Sequence, residues 1–86
     1  MKVAVIGAGY VGLATGAGLA SLGHHVAIGE KDPDRLEQLR RGGIPIFEPG
    51  LEELVASGVE AGAIEFHGSN HEAAQGARVV LLALPT

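Results

Sequence analysis

The sequence predicts an α/β fold, a Rossmann-like parallel sheet of four strands in the order 3-2-1-4 with flanking helices, on three observations. Short apolar runs alternate with stretches of helical spacing along the whole chain. The glycine-rich stretch Gly7-Ala8-Gly9-Tyr10-Val11-Gly12 follows the first run directly and opens the first helical stretch. The chain of 86 residues is 47 % apolar, yet only Tyr10, Phe47 and Phe66 are aromatic, so its core must be Val, Ile, Leu and Ala. That is the filling of a parallel sheet covered on both faces.

Each element has its own local reason. Lys2-Val3-Ala4-Val5-Ile6 is a short apolar run ended by glycine and reads as a fully buried strand. Residues 10–22 follow as a helix, with Gly12, Gly16 and Leu19 on one face and Gly23 as its C-terminal stop. Residues 26–28 form a second strand. Asp32-Pro33 then starts a helix, with a side-chain oxygen at the N-cap and proline in the first turn. This helix runs through Leu36 and Leu39 and stops at Gly42-Gly43. Residues 44–48 are extended, as the residue before each proline requires. Pro49 opens a short helix through Leu51, Leu54 and Val55. Residues 63–66 are a third strand, 70–75 a weak helix, and 78–84 a strongly apolar fourth strand. Right-handed crossovers then favour the strand order 3-2-1-4. Repeats, low-complexity tracts and linkers are absent from the sequence.

The glycine pattern G-x-G-x-x-G is weak by itself in a chain with 14 glycines. The strand before it and the helix after it make it strong, because together they form the dinucleotide-binding turn of a Rossmann domain. Gly7 permits the tight turn out of the strand. Gly9 lets the backbone approach a pyrophosphate, and Gly12 lets the helix pack closely on the sheet. The helix N-terminus offers free N–H groups and a positive dipole end to the phosphates. The bland alternative is a glycine-rich turn that binds nothing.

Such a site needs an acceptor about 20 residues further on for the adenosine ribose hydroxyls. Glu30 lies 18 residues after Gly12, immediately after the second strand. Its carboxylate accepts from the 2′- and 3′-hydroxyls and repels a 2′-phosphate, so NAD is favoured over NADP. Lys31 and Arg35 pull the other way, since a nearby base accommodates a 2′-phosphate. The alternative for Glu30 is a solvated glutamate at a strand end. Asp32 is better explained as the helix cap than as a ligand.

Charge and composition narrow the function further. Net charge is −4 with six basic residues, and no basic stripe runs along the chain, which argues against nucleic acid as a partner. Cysteine is absent, which excludes a disulfide, a thiolate metal site or a cysteine nucleophile within these residues. The uncharged stretch from Val3 to Gly23 mimics a signal or membrane segment. Six glycines interrupt it, so a cytoplasmic protein with no membrane contact is expected.

The segments M-K-V-A-V-I-G-A-G-Y-V-G-L-A-T-G, G-H-H-V-A-I-G-E-K-D and R-G-G-I-P-I-F-E-P-G-L-E-E-L resemble the N-terminus of the UDP-glucose/GDP-mannose dehydrogenase family. The resemblance covers the whole chain, and I-P-I-F-E-P-G-L is its most specific part. It implies an enzyme that oxidises the C6 alcohol of a nucleotide sugar to a carboxylate in two steps with two NAD. It also implies cofactor contacts at Gly7, Gly9, Tyr10, Val11, Gly12, Glu30 and Arg35, with Thr86 near the cofactor at the end of the fourth strand. The family more often has Asp at position 30, so Glu30 is a departure that lengthens the reach of the carboxylate. The family's catalytic cysteine, and the lysine and asparagine that act on the sugar, have no counterpart here. Residues 1–86 are therefore expected to be the N-terminal part of a dinucleotide-binding domain, inactive alone.

Two other functions compete with this one: a different Rossmann oxidoreductase, flavoproteins included, and a self-associating module with little ligand affinity. A homo-oligomer is expected in either case, because the fourth strand would be an unprotected apolar edge. His67 and His71, with Glu65 and Glu72 nearby, have the spacing of a metal pair only on a continuous helix. Gly68-Ser69 interrupts that stretch, so a surface loop is expected. His24-His25 reads as structural and Arg40-Arg41 as a solvated helix end.

Overall fold

The structure, a computed structural model, describes residues 1–43 and 50–83. The extended segment expected at 44–48, Phe47 within it, and Thr86 lie outside the described residues. The elements run β1 (Lys2–Ile6), α1 (Tyr10–Ser21), β2 (His25–Gly29), α2 (Pro33–Arg40), α3 (Leu51–Glu60), β3 (Ile64–His67), α4 (Asn70–Ala74) and β4 (Val79–Leu82). The four strands form one sheet in the order β3-β2-β1-β4, and every pairing is parallel. Val5 pairs with Ile28 on one side and Leu81 on the other, and Val26 pairs with Ile64. The expected order holds.

Alternation along the strands divides the sheet into two faces. Val3 and Val5, Val26 and Ile28, and Ile64 and Phe66 are buried on one face in a single cluster. Ala8 of the turn, Leu13 and Ala17 of α1, Leu39 of α2, and Leu51 and Val55 of α3 complete that cluster. The other face carries a smaller cluster in which Ala73 of α4 packs on Ile6 and Ala27. Burying both central strands leaves only small and branched apolar residues along them, as the composition required.

Helix starts follow their local chemistry. Asp32 caps α2 by accepting from the Asp34 N–H at 3.0 Å, with Pro33 in the first turn. Ser69 caps α4 by accepting from the Glu72 N–H at 3.3 Å. Arg40 is exposed, as its sequence position suggested, but it also makes a contact the sequence did not announce. It donates to the Phe66 carbonyl at 2.9 Å and so ties the end of α2 to β3, because the helix end lies over that strand. Arg41 stays exposed and pairs with Glu37 one turn back. Among the described residues, no helix is long and apolar enough to cross a membrane.

Candidate functional site

The C-terminal ends of the parallel strands converge on a cleft of about 570 Å³. This is the side on which open α/β sheets bind ligands. Its floor is the turn between β1 and α1. Gly7 has φ +110°, a left-handed conformation that favours glycine. A Cβ on Gly12 would run into the Gly7 carbonyl oxygen, so the helix can start this close to the strand only without a side chain there. At Gly9 a Cβ would meet no protein atom within 4 Å. The space beside Gly9 belongs to the cleft, so a side chain there would take volume from an occupant and from nothing else.

The N-terminus of α1 differs from those of the other helices described. Its N-cap is Gly9, which supplies no side-chain cap, and its first turn contains no acidic residue. By contrast α2, α3 and α4 each carry an acidic residue in the first turn. The first amide of α1 to reach back to a carbonyl is Leu13, which donates to Gly9 at 2.9 Å. The N–H groups of Tyr10, Val11 and Gly12 precede it and lie before the helical ladder. An uncompensated dipole end with free amides, opening on a cleft, is arranged for an anion.

Glu30 stands across the cleft. Its amide donates to the His67 carbonyl at 2.9 Å, which fixes the backbone at the end of β2 against β3. Its Oε2 accepts from the Asp32 N–H at 3.0 Å, and its Oε1 lies 3.8 Å from Arg35 Nη1. The side chain is only 12 % exposed, so the carboxylate is held rather than waving in solvent. Each oxygen keeps lone-pair capacity for a further donor. Gly7, Gly9, Tyr10, Val11, Glu30, Lys31 and Arg35 all line this cleft. Gly12 acts from behind, by letting the turn close. Thr86 lies outside the described residues.

Five further cleft residues were not among the cofactor contacts expected from sequence: Ala8, Gly29, Asn70, Leu82 and Ala83. Asn70 had a usable signal, because Ser69-Asn70-His71-Glu72 has the S-x-x-E capping pattern that puts Asn70 at a helix start. The histidines follow a different plan from a metal pair. His67 ends β3 and His71 lies in α4, so the stretch is not a surface loop. His67 Nε2 donates to Glu65 at 2.9 Å, and His25 Nε2 lies 3.2 Å from the other Glu65 oxygen. Among the described residues, no group of His, Asp and Glu side chains could hold a metal ion.

A glycine turn, an open helix N-terminus and a carboxylate at the end of the second strand, on a 3-2-1-4 parallel sheet, define a dinucleotide-binding domain of the Rossmann class. Comparison with known proteins makes this specific. The profile "UDP-glucose/GDP-mannose dehydrogenase family, NAD binding domain" matches residues 1–86, and the chain belongs to that family. Its cofactor is NAD. The chain is 45 % identical over its full length to UDP-glucose 6-dehydrogenase of Rhizobium meliloti, covering 20 % of that protein. It is 44 % identical over its full length to UDP-glucose 6-dehydrogenase of Pseudomonas aeruginosa, covering 19 %. Among solved structures, a ternary complex of GDP-mannose dehydrogenase from P. aeruginosa superposes with a TM-score of 0.92 at 28 % identity. That match covers 100 % of this chain and 20 % of the other. UDP-glucose dehydrogenase of Pyrobaculum islandicum gives 0.91 at 36 % identity, over 96 % of this chain and 19 % of that one. The chain thus spans about a fifth of the length of the relatives it matches.

Proposed function

We propose that residues 1–86 are the front of the NAD-binding domain of a nucleotide-sugar dehydrogenase, holding the ADP half of the cofactor. The whole protein would oxidise the C6 alcohol of UDP-glucose to a carboxylate with two NAD. The observation that carries this reading is the convergence, in one cleft, of the free amides of α1 and the Glu30 carboxylate. The amides of Tyr10 and Val11, reached over Gly7 and Gly9, receive the pyrophosphate, and Gly12 keeps the turn tight. Glu30 accepts from the adenosine ribose hydroxyls, and Arg35 steadies it from beside. Thr86 is assigned near the cofactor by family resemblance alone. NAD, once bound, supplies the hydride acceptor; these residues bind and orient it.

Relatives named as UDP-glucose 6-dehydrogenases support the sugar assignment. The likeness to GDP-mannose dehydrogenase supports the second reading, in which the sugar nucleotide is GDP-mannose. The chain is read as cytoplasmic and homo-oligomeric, with β4 an open edge among the described residues.

Calorimetric titration with NAD and NADP tests the cofactor half of the proposal. NAD is expected to bind more tightly, because Glu30 repels a 2′-phosphate; equal affinity for both would overturn the role given to Glu30. Mixing the chain with NAD and UDP-glucose is expected to yield no NADH, and clear turnover would show that the chemistry lies within residues 1–86 after all.

A further inference from the structure

Asn70 lines the cleft but has no part in the reading above. Asn70 is the first residue of α4 and lines the cleft together with Gly9, Glu30 and Arg35. Its place is set by close packing. A Cβ on Gly29 would come within 2.6 Å of Asn70 Oδ1, 3.4 Å of its Cα and 3.5 Å of the Ala73 Cβ. The absent side chain at Gly29 therefore lets α4 lie directly on the end of β2, one residue before Glu30. Two further links lock the arrangement: Ala73 is fully buried against Ile6 and Ala27, and the Glu30 amide donates to His67, just before the turn into α4. Asn70 thus packs on the residue before Glu30, and both line the same cleft.

Their hydrogen-bonding capacities are complementary. An ionised carboxylate only accepts, whereas a primary amide has two N–H donors and an acceptor. Among the described residues, the Asn70 side chain is assigned no hydrogen bond, while Glu30 already takes the Asp32 N–H. A ribose diol is both donor and acceptor at each hydroxyl. A carboxylate alone satisfies its protons and leaves its oxygen lone pairs unread.

We propose that Asn70 is a second reader of the adenosine ribose, donating from its side-chain amide to a ribose hydroxyl oxygen while Glu30 accepts the hydroxyl protons. The inference rests on the nucleotide reading given above. It makes Asn70 a specificity residue for an unmodified ribose, because a hydroxyl that is missing or phosphorylated cannot serve both partners at once.

The test is calorimetric titration of the chain and its Asn70→Ala variant with NAD and with its 2′-deoxyadenosine and 3′-deoxyadenosine analogues. Loss of one neutral hydrogen bond is expected to weaken NAD binding about fivefold. The same substitution should leave unchanged the affinity for the analogue that lacks the hydroxyl Asn70 contacts. Asn70→Asp keeps the size and the contact on Gly29 but removes the donor, and is expected to weaken NAD at least as much with an unaltered thermal melt. Equal losses for NAD and both analogues would reduce Asn70 to a packing residue and overturn the inference, as would unchanged NAD affinity in both variants. Failure of the unsubstituted chain to bind NAD would instead overturn the nucleotide reading, and this inference with it.

Discussion

The two faces of the sheet are built by different rules. On one, residues from β1, β2 and β3 are buried beneath three helices in a continuous apolar cluster. On the other, the five-residue α4 packs on Ile6 and Ala27 through Ala73. On its β2–β3 side lies a polar row, His25, Glu65 and His67, and at the opposite edge of the sheet Val80 and Leu82 of β4 stay 46 % and 75 % exposed. The first face is self-sufficient and supplies the stability. The second is held by small residues and ion pairs, and it leaves apolar surface open. The cleft sits at the strand ends where the two faces meet, with α1 belonging to the first and α4 to the second.

Substitution on the packed face should have the largest effect. Leu13 is fully buried between α1 and the sheet. Leu13→Ala removes its contacts and leaves a cavity, at about 2–5 kcal/mol. That is a large share of the roughly 5–10 kcal/mol available to a small domain. Urea unfolding monitored by circular dichroism measures it, and a loss no greater than that from a β4 substitution would break the contrast between the faces.

Next in size is an effect on binding without a matching effect on packing. Glu30→Ala removes a charged acceptor from the cleft but takes nothing from either apolar cluster. Hydrogen bonds to charged groups contribute about 1.5–3 kcal/mol, so NAD affinity should fall about 10- to 100-fold. The urea midpoint should stay near that of the unsubstituted chain. A parallel fall in stability would mean that Glu30 holds α2 in place and acts on the cofactor only through that helix.

The polar row gives a smaller effect that depends on pH. The Glu65 carboxyl lies below the ordinary value of 4.5, chiefly because His67 donates a hydrogen bond to it, with burial opposing. A carboxylate whose pKa falls on folding stabilises the fold above its unfolded value, and the contribution is lost as pH drops through the folded value. The stability gap between the chain and its Glu65→Gln variant should therefore be open at pH 5.5 and narrow towards pH 3.5. The partners are 42 % and 44 % exposed in the His25 pair, so solvent screening keeps the gap small. A gap that stays constant with pH would assign Glu65 to packing.

What could be read from sequence follows the same division. The packed face and the cleft floor were legible because their signals are local: an apolar run, glycines at fixed offsets, an Asp-Pro helix start and a carboxylate at a set distance. Even the strand order followed, since crossover handedness leaves few alternatives. The second face depends on contacts between residues far apart in the chain. Nothing around Arg40 announces that it reaches Phe66 across 26 residues. The Glu65 pairs likewise need β2 and β3 to be neighbours before His25 and His67 can share one carboxylate. Asn70 falls between these cases, because its helix start was legible and its place against Gly29 was not.

The smallest effect on folding, and the sharpest test of the second face, lies on β4. Leu82 is three-quarters exposed and belongs to neither buried cluster. Leu82→Lys should change the urea midpoint by no more than about 0.5 kcal/mol, as for other surface positions. Its effect on association should be much larger. Among the described residues, β4 pairs only with β1 and presents apolar side chains along an open edge, the arrangement that recruits another strand. Light scattering should find the unsubstituted chain associated and the variant shifted towards monomer, since a charge on an edge strand opposes pairing. If both are monomeric at high concentration, the exposed row is no meeting surface between copies of this chain. If both associate equally, the contact lies elsewhere, and the exposed apolar residues of α3, Leu54 and Val59, become the next to substitute.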